Sequence, residues 1–534
     1  MPRDNKVLLI GLDGYDAEYA DQLIARGELP SLARFRADSA RFQLDHGSAK
    51  RTGLAFEHFS SGLSPQAGDR WSAVNFDKEQ YRAWQEDVRF DPFTRHLNAR
   101  TVVFDTPYFD LTRDSQVQGV VSWGAHDPGT PLAGQPATLL DELLSRFGPY
   151  PANEWIYGFA WPSVRKCQEM GQKLSESVDK RAEIVDWLFR DRVPDWDLGI
   201  AVVSELHSAS EGLWHGVDPT HPLHNCPSAP AAAASLESVY RSVDQMIGRL
   251  QSTFPGVTLI LFSMHGMGPN ESDVASMSLL PEILLRKYTG QTMLAPKPEW
   301  RAAVDGIPQL GEQDSWRIPL VNLGGSRRLR QAIIDRVKPL GRALLHKYTI
   351  PLPAFARASR LSWMPAIHYQ PHWRNMPAFA LPSFYDGRIR INLKGRERHG
   401  LISPENYPSF REELCEFLHS IINVQTGRPA VRHVEVSSKT DPMDLDPSEA
   451  DIVVVWDAAA RALQHSDMGT IGPLPYRRPG GHSGGFGFAY INGPSVSPGD
   501  FGTKSAFDIV PTIFDLMGEQ FPAHLSGNSL FSEE

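Results

Sequence analysis

Residues 258–268 read TLILFSMHGMG, an aliphatic and β-branched run that stops abruptly on Met-His-Gly. A near-continuous apolar run of this length suits a strand buried on both faces of a parallel sheet. Its closing residues, Met264 and His265, then stand at the C-terminal edge of that sheet. Four further runs have the same character: VLLIGLDG from 7, TVVFDTP from 101, GVVSWGAHD from 119 and GIAVVSELH from 199. Helix-like stretches lie between them, LDELLSRFG from 140 and SLESVYRSVDQMIGRLQ from 235, so the rhythm is βαβ. Each strand ends on a polar or small residue at the edge where open α/β sheets bind ligands.

The chain has 534 residues, 41% hydrophobic and 22% charged, which describes a soluble globular protein long enough for more than one core. A net charge of -10 gives no general attraction to nucleic-acid polymers or anionic membranes, so an anionic substrate must be held locally. Cys167, Cys226 and Cys415 form no CxxC pair, which points away from a disulfide framework and a thiolate zinc site. The N-terminal apolar run is too short for a signal-peptide core, and no run approaches the roughly 20 residues of a membrane span. The expectation is a cytoplasmic protein, with its oligomeric state open. Residues 291–375, rich in Pro, Trp and Arg, break the rhythm and are expected to form a helical insertion or cap between core segments 1–290 and 376–534. SAPAAAAS, residues 228–235, reads as a short linker.

Several residues carry possible chemistry. Asp13 sits between two glycines at the first strand end, either a turn former or a hard metal ligand. The segment ELHSASEGLWH holds Glu205, His207, Glu211 and His215, and the i,i+4 spacing puts His207 and Glu211 on one helix face, as two ligands of one metal require. YRRPGGHSGGFGF sets His482 in a glycine-rich turn after Arg477 and Arg478. SAKRTGLAFEHFSSGLSP places Thr52 after Lys50 and Arg51, where a hydroxyl at a helix N-terminus is an N-cap or a nucleophile facing phosphate.

The order of these motifs resembles the alkaline phosphatase superfamily, most closely its type I phosphodiesterase and nucleotide pyrophosphatase branch. The shared landmarks are GLDG at Asp13, Thr52 followed by SSGLSP, the strand ending in the His207–Glu211 segment, SMHGM at 263–267 and GGHSG at His482. The resemblance implies an α/β three-layer sandwich, a mostly parallel central sheet flanked by helices. It also implies a metal-dependent hydrolase of phosphate monoesters or diesters with Thr52 as nucleophile. One metal ion would be held by Asp13, Thr52, His265 and position 264, the other by His207, Glu211 and His482. Position 264 is a methionine where the family pattern has an aspartate, and a thioether is a poor ligand for zinc, magnesium or manganese. The expected cofactor is therefore one or two divalent ions, zinc first, with manganese, magnesium or iron as alternatives. The expected partner is a small phosphate or sulfate ester. Lys50, Arg51, Glu205, His215 and Arg477 are candidate substrate contacts, and Glu205 or Asp273 could help recruit a second ion. Two other readings stand beside the hydrolase: a phosphoryl or sulfuryl transferase with a remodelled metal site, and a non-catalytic ligand-binding homologue.

Overall fold

The run that opens the sequence reading is a strand in full, Thr258–His265, and every residue in it is buried. It lies in a mixed sheet whose described strands are β1 (Val7–Leu12), β2 (Ala40–Asp45), β3 (Thr101–Phe104), β4 (Gln118–Val121), β5 (Ala133–Gln135), β6 (Leu198–Val203), β7 (Thr258–His265), β8 (Phe486–Asn492) and β9 (Gly499–Ser505). Their spatial order is β9-β2-β8-β7-β1-β6-β3-β4-β5. Pairing is parallel from β7 through β1, β6 and β3 to β4, and between β2 and β9. β8 and β5 run antiparallel to their neighbours. The structure, a computed structural model, describes residues 6–127, 129–157, 163–296, 307–308 and 359–532.

Register decides where the chemistry falls. Gly11 pairs with Val202 on one side and Phe262 on the other, so Asp13, the start of the segment after β6 and the end of β7 share one sheet edge. Phe104 pairs with Ala201 and Val120, which brings the residues after β3 and β4 to the same edge. Because β8 is antiparallel, its first residue, Phe486, pairs with His265, and the preceding glycine-rich turn joins them.

Three helices close one face of this sheet. α1 (Val164–Asp186), α2 (Glu205–Leu213) and α3 (Ala229–Thr253) bury Leu174, Val178, Leu206, Leu236, Val239 and Ile247 in one core with Leu8, Ile10, Val203 and Leu261. Residues 228–235 do not form the expected linker. Ser228 is the N-cap residue and the following residues are the first turns of α3, because alanine is the strongest helix former and a proline is tolerated in the first turn.

By their contacts the residues group into two units, Met1–Trp71 with Glu86–Asn270 and Arg478–Glu534, and Ser72–Gln85 with Glu271–Arg477. The second unit contains a four-stranded antiparallel sheet in the order Ala378–Leu381, Gly387–Ile391, Ile452–Trp456, Val431–Val436. Most of the expected 291–375 insertion lies outside the described residues. Among the described residues, no helix is long and apolar enough to cross a membrane.

Candidate metal centre

Two glycines bring α2 against the strand ends. Gly14 has φ +73°, and a Cβ there would stand 2.2 Å from the His207 Cα. At Gly480 a Cβ would meet the Ser210 carbonyl at 2.0 Å. Any side chain at either position would push the loops carrying Asp13 or His482 away from α2.

On α2 itself, His207 and Glu211 stand one turn apart, as their spacing predicts, with His207 Nε2 3.3 Å from Glu211 Oε1. His482 reaches in from the glycine-rich turn and places its Nε2 3.0 Å from His207 Nε2. A fourth group comes from the turn after β4, where the His126 ring stacks on His207 at 3.8 Å with 16° between the planes. His126 Nε2 is 3.7 Å from Glu211 Oε1. One donor atom each from His126, His207 and Glu211 lies within 4.8 Å of the others, and all three residues are buried.

The remaining expected ligands extend the cluster. Asp13 Oδ2 faces His207 Nδ1 at 3.0 Å. Burial alone would raise the Asp13 carboxyl, but the charge and hydrogen bond of His207, helped by His126 and His265, hold it below the ordinary carboxylate value. His265 Nε2 lies 3.2 Å from His482 Nδ1, and its own Nδ1 faces the Gly266 carbonyl at 3.0 Å. Burial pushes His265 down to about 4 and His126 to about 3, and it lowers His482 well below the ordinary histidine value.

Counting protons along this run exposes a shortage. His265 must use its Nδ1 proton on the Gly266 carbonyl, so its Nε2 accepts from His482 Nδ1. A neutral His482 then accepts at Nε2, which requires a proton on His207 Nε2. Asp13 requires a second proton on His207 Nδ1. Neutral imidazoles cannot meet all these contacts; the run needs one more positive charge, as an imidazolium at His207 or a metal ion facing the Nε2 atoms. Glu211 has Arg478 pressed against Oε1 as a counter-charge, while neither of its fully buried oxygens accepts a hydrogen bond. Three imidazoles and a carboxylate suit a tetrahedral zinc-type ion, whose ligand atoms stand about 3.3 Å apart. The 3.0 and 3.3 Å spacings among His482, His207 and Glu211 fit, whereas His126, 3.7 Å from Glu211 and stacked on the His207 ring, must turn out of the stack to share an ion with it.

The other expected residues have the following surroundings. Thr52 is buried, but it ends a 3-10 turn, Gly47–Thr52, and the following helix begins at Ala55 with Leu54 as its N-cap residue. Its hydroxyl donates to the Ala49 carbonyl at 2.8 Å and accepts from the Leu54 amide at 3.2 Å, a local turn rather than a helix cap. Met264 lies one residue before His265 within the same strand, so the two side chains leave on opposite faces. Glu205 is fully buried and bonded to Arg181. His215 bonds Ser228 at 3.2 Å. Lys50 Nζ donates to the Gly484 carbonyl at 3.0 Å, beside the His482 turn, and Arg51 is half-buried. Arg477 belongs to the second unit, donating to Asp273 at 2.6 Å and lying over Trp363 at 5.0 Å. His126 is the residue that sequence reasoning misses; its signal is only that GVVSWGAHD carries a histidine next to its last residue at the ligand-binding edge.

A family model described as type I phosphodiesterase / nucleotide pyrophosphatase matches residues 7–309. No match is found among curated protein sequences. Among solved structures, alkaline phosphatase PafA aligns over 99% of this chain and 98% of its own at 10% identity with a TM-score of 0.51, a likeness of fold. Human ectonucleotide pyrophosphatase / phosphodiesterase 5 aligns over 98% and 97% at 12% identity, TM-score 0.48. Phosphonoacetate hydrolase from Sinorhizobium meliloti 1021, solved with phosphonoformate, aligns over 97% and 96% at 12% identity, TM-score 0.47.

Proposed function

The chain belongs to the type I phosphodiesterase / nucleotide pyrophosphatase family, and from that premise we propose that it hydrolyses small phosphate esters at a single divalent metal ion held by His126, His207, Glu211 and His482. The observation that carries this reading is the convergence of His126, His207 and Glu211 donor atoms on one buried point, with His482 Nε2 alongside. A donor set of three nitrogens and one carboxylate favours zinc over magnesium. The ion supplies Lewis acidity toward a phosphoryl oxygen. Asp13 orients His207 through Nδ1 and so acts behind the ligand shell instead of in a first metal position. Lys50, beside the His482 turn, brings positive charge to the substrate anion, while Arg478 is engaged by Glu211. Thr52 is the nucleophile: its hydroxyl, which donates to the Ala49 carbonyl, would turn to bond phosphorus as the P–O bond to the ester's alcohol breaks, its proton leaving with that alcohol, and water would then release phosphate from the threonine.

The test is zinc content and turnover of a chromogenic phosphodiester and phosphomonoester, compared between wild type and Thr52→Ala. About one zinc per chain in both proteins, with turnover in the wild type alone, is the expected result. Turnover that survives Thr52→Ala removes the covalent step and leaves direct attack by water. Turnover by a zinc-free wild type removes the metal.

A further inference from the structure

Glu205, expected as a substrate contact, has a fully buried carboxylate held by Arg181 from another helix. Arg181 Nε stands 3.1 Å from both Glu205 oxygens, and its Nη2 donates to Oε1 at 2.9 Å. The same guanidinium donates through Nη1 to Asp105 Oδ2 at 2.7 Å. All three side chains are fully buried, and the guanidinium carbon lies 5.4 Å from the Phe104 ring and 5.5 Å from the Trp123 ring.

What Asp105 does next gives this trio its direction. Its Oδ1 accepts from the Trp123 amide at 2.7 Å and its Oδ2 from the Gly124 amide at 2.9 Å. Asp105 itself has φ 55°, a left-handed conformation that a non-glycine residue holds only when its surroundings require it. Two residues beyond Gly124 comes His126. Glu205, for its part, opens α2, two residues before His207. One planar guanidinium thus ties the turn that delivers His126 to the helix that delivers His207 and Glu211.

We propose that Arg181 is a positioning residue for the metal centre, setting the placement of His126 against His207 and Glu211 through its two carboxylate partners. This rests on the metal reading above. Ridge packing between α1 and α2 fixes the helices, whereas the turn at 122–126 takes its main-chain position from the Asp105 bonds to the Trp123 and Gly124 amides, with the Trp123 indole on the Gly148 carbonyl and His126 Nδ1 3.4 Å from the Ser208 hydroxyl of α2 as further ties. A lysine keeps the charge and cannot fork to two carboxylates.

The experiment uses cobalt(II) as the probe, added to the full-length chain after chelator treatment. The visible cobalt spectrum, the cobalt affinity from competition with a chromogenic chelator, and the melting temperature are recorded together. Wild type, Arg181→Lys, Asp105→Asn and a control, Arg396→Lys, are compared; the control removes a fork from a buried network of the second unit. For Arg181→Lys the expected result is a changed cobalt spectrum and an affinity lower by about 10–100-fold, the usual cost of losing an outer-shell partner. Asp105→Asn, which keeps the volume and loosens the 122–126 turn, shows a loss in the same direction and carries the test if Arg181→Lys does not fold. Arg396→Lys lowers the melting temperature and keeps the wild-type spectrum. Wild-type spectrum and affinity in the folded Arg181 or Asp105 variant overturn the proposal while leaving the metal centre standing. A wild type that takes up no cobalt overturns both.

Discussion

Each of the two units buries a cluster of charged side chains, and they differ in how completely the charges are answered. In the second unit Arg396 donates to both Asp451 oxygens at 2.8 Å, to Glu397 at 2.9 and 3.0 Å and to two backbone carbonyls. Tyr407 and the Ile391 amide complete Asp451, and Arg390 and the Leu393 amide complete Glu397. In the first unit Glu211 has Arg478 against Oε1 as its counter-charge but accepts no hydrogen bond at either oxygen, and the histidine run beside it, with every ring neutral, is one proton short. Burial is equal in the two places, so burial does not mark function. A buried polar network that closes on itself is structure, whereas one left open demands a ligand.

That contrast can be broken in order of effect. Arg396→Met leaves Asp451 as an uncompensated buried charge and Glu397 with Arg390 as its remaining cation, and urea unfolding is expected to record a loss of about 3–5 kcal/mol. Its folded fraction keeps the wild-type zinc affinity. Zinc at 100 times its dissociation constant raises the unfolding free energy by about 2.7 kcal/mol, and chelation reverses this. An equal unfolding curve with and without zinc would contradict the open-network reading. His126→Asn reverses the pattern of Arg396→Met: zinc affinity falls at least about 10-fold, while metal-free stability moves by less than about 1 kcal/mol. Metal-free stability below that range would make His126 a structural residue.

The smallest effect comes from the histidine pair behind the site. His46 Nε2 and His58 Nδ1 are 3.1 Å apart and buried, and the His46 ring lies parallel to His265 at 6.0 Å. Burial, with Arg70 and His265 adding to it, pushes His58 down to about 3. The unfolded chain therefore binds that proton first. The stabilisation is complete above the unfolded value near 6.5 and is lost as pH falls toward 3, amounting to about 1 kcal/mol by pH 5.5. His58→Gln should flatten the pH dependence of unfolding by that amount, and an unchanged slope would remove His58 as its source.

Most of the fold is legible in the sequence because apolar runs buried on both faces write themselves as unbroken strings, and five of them end at one edge. His207 and Glu211 are legible for a similar reason, since i,i+4 spacing on a helix is a local property. His126 is not, because its approach to His207 depends on β3 lying between β6 and β4, a fact of strand order. Glu205 reads as a metal or substrate group because Arg181, its partner, is 24 residues away on a different helix. Thr52 reads as a helix cap because the 3-10 turn before α-helical Ala55–Ser61 carries no distinctive residue pattern. Met264 reads as a damaged ligand because the family pattern places an aspartate there; within the strand Thr258–His265, alternation turns Met264 to the face opposite His265. Met264→Asp is accordingly expected to bury an unpaired carboxylate without adding a second ion.

The most direct measurement is anomalous diffraction at the zinc edge from crystals of the zinc-loaded protein. The account predicts one peak per chain, about 2.0–2.2 Å from His126, His207 and His482 nitrogens and a Glu211 oxygen. A peak bounded by Asp13, Thr52 and His265, or none in this cluster, would contradict it.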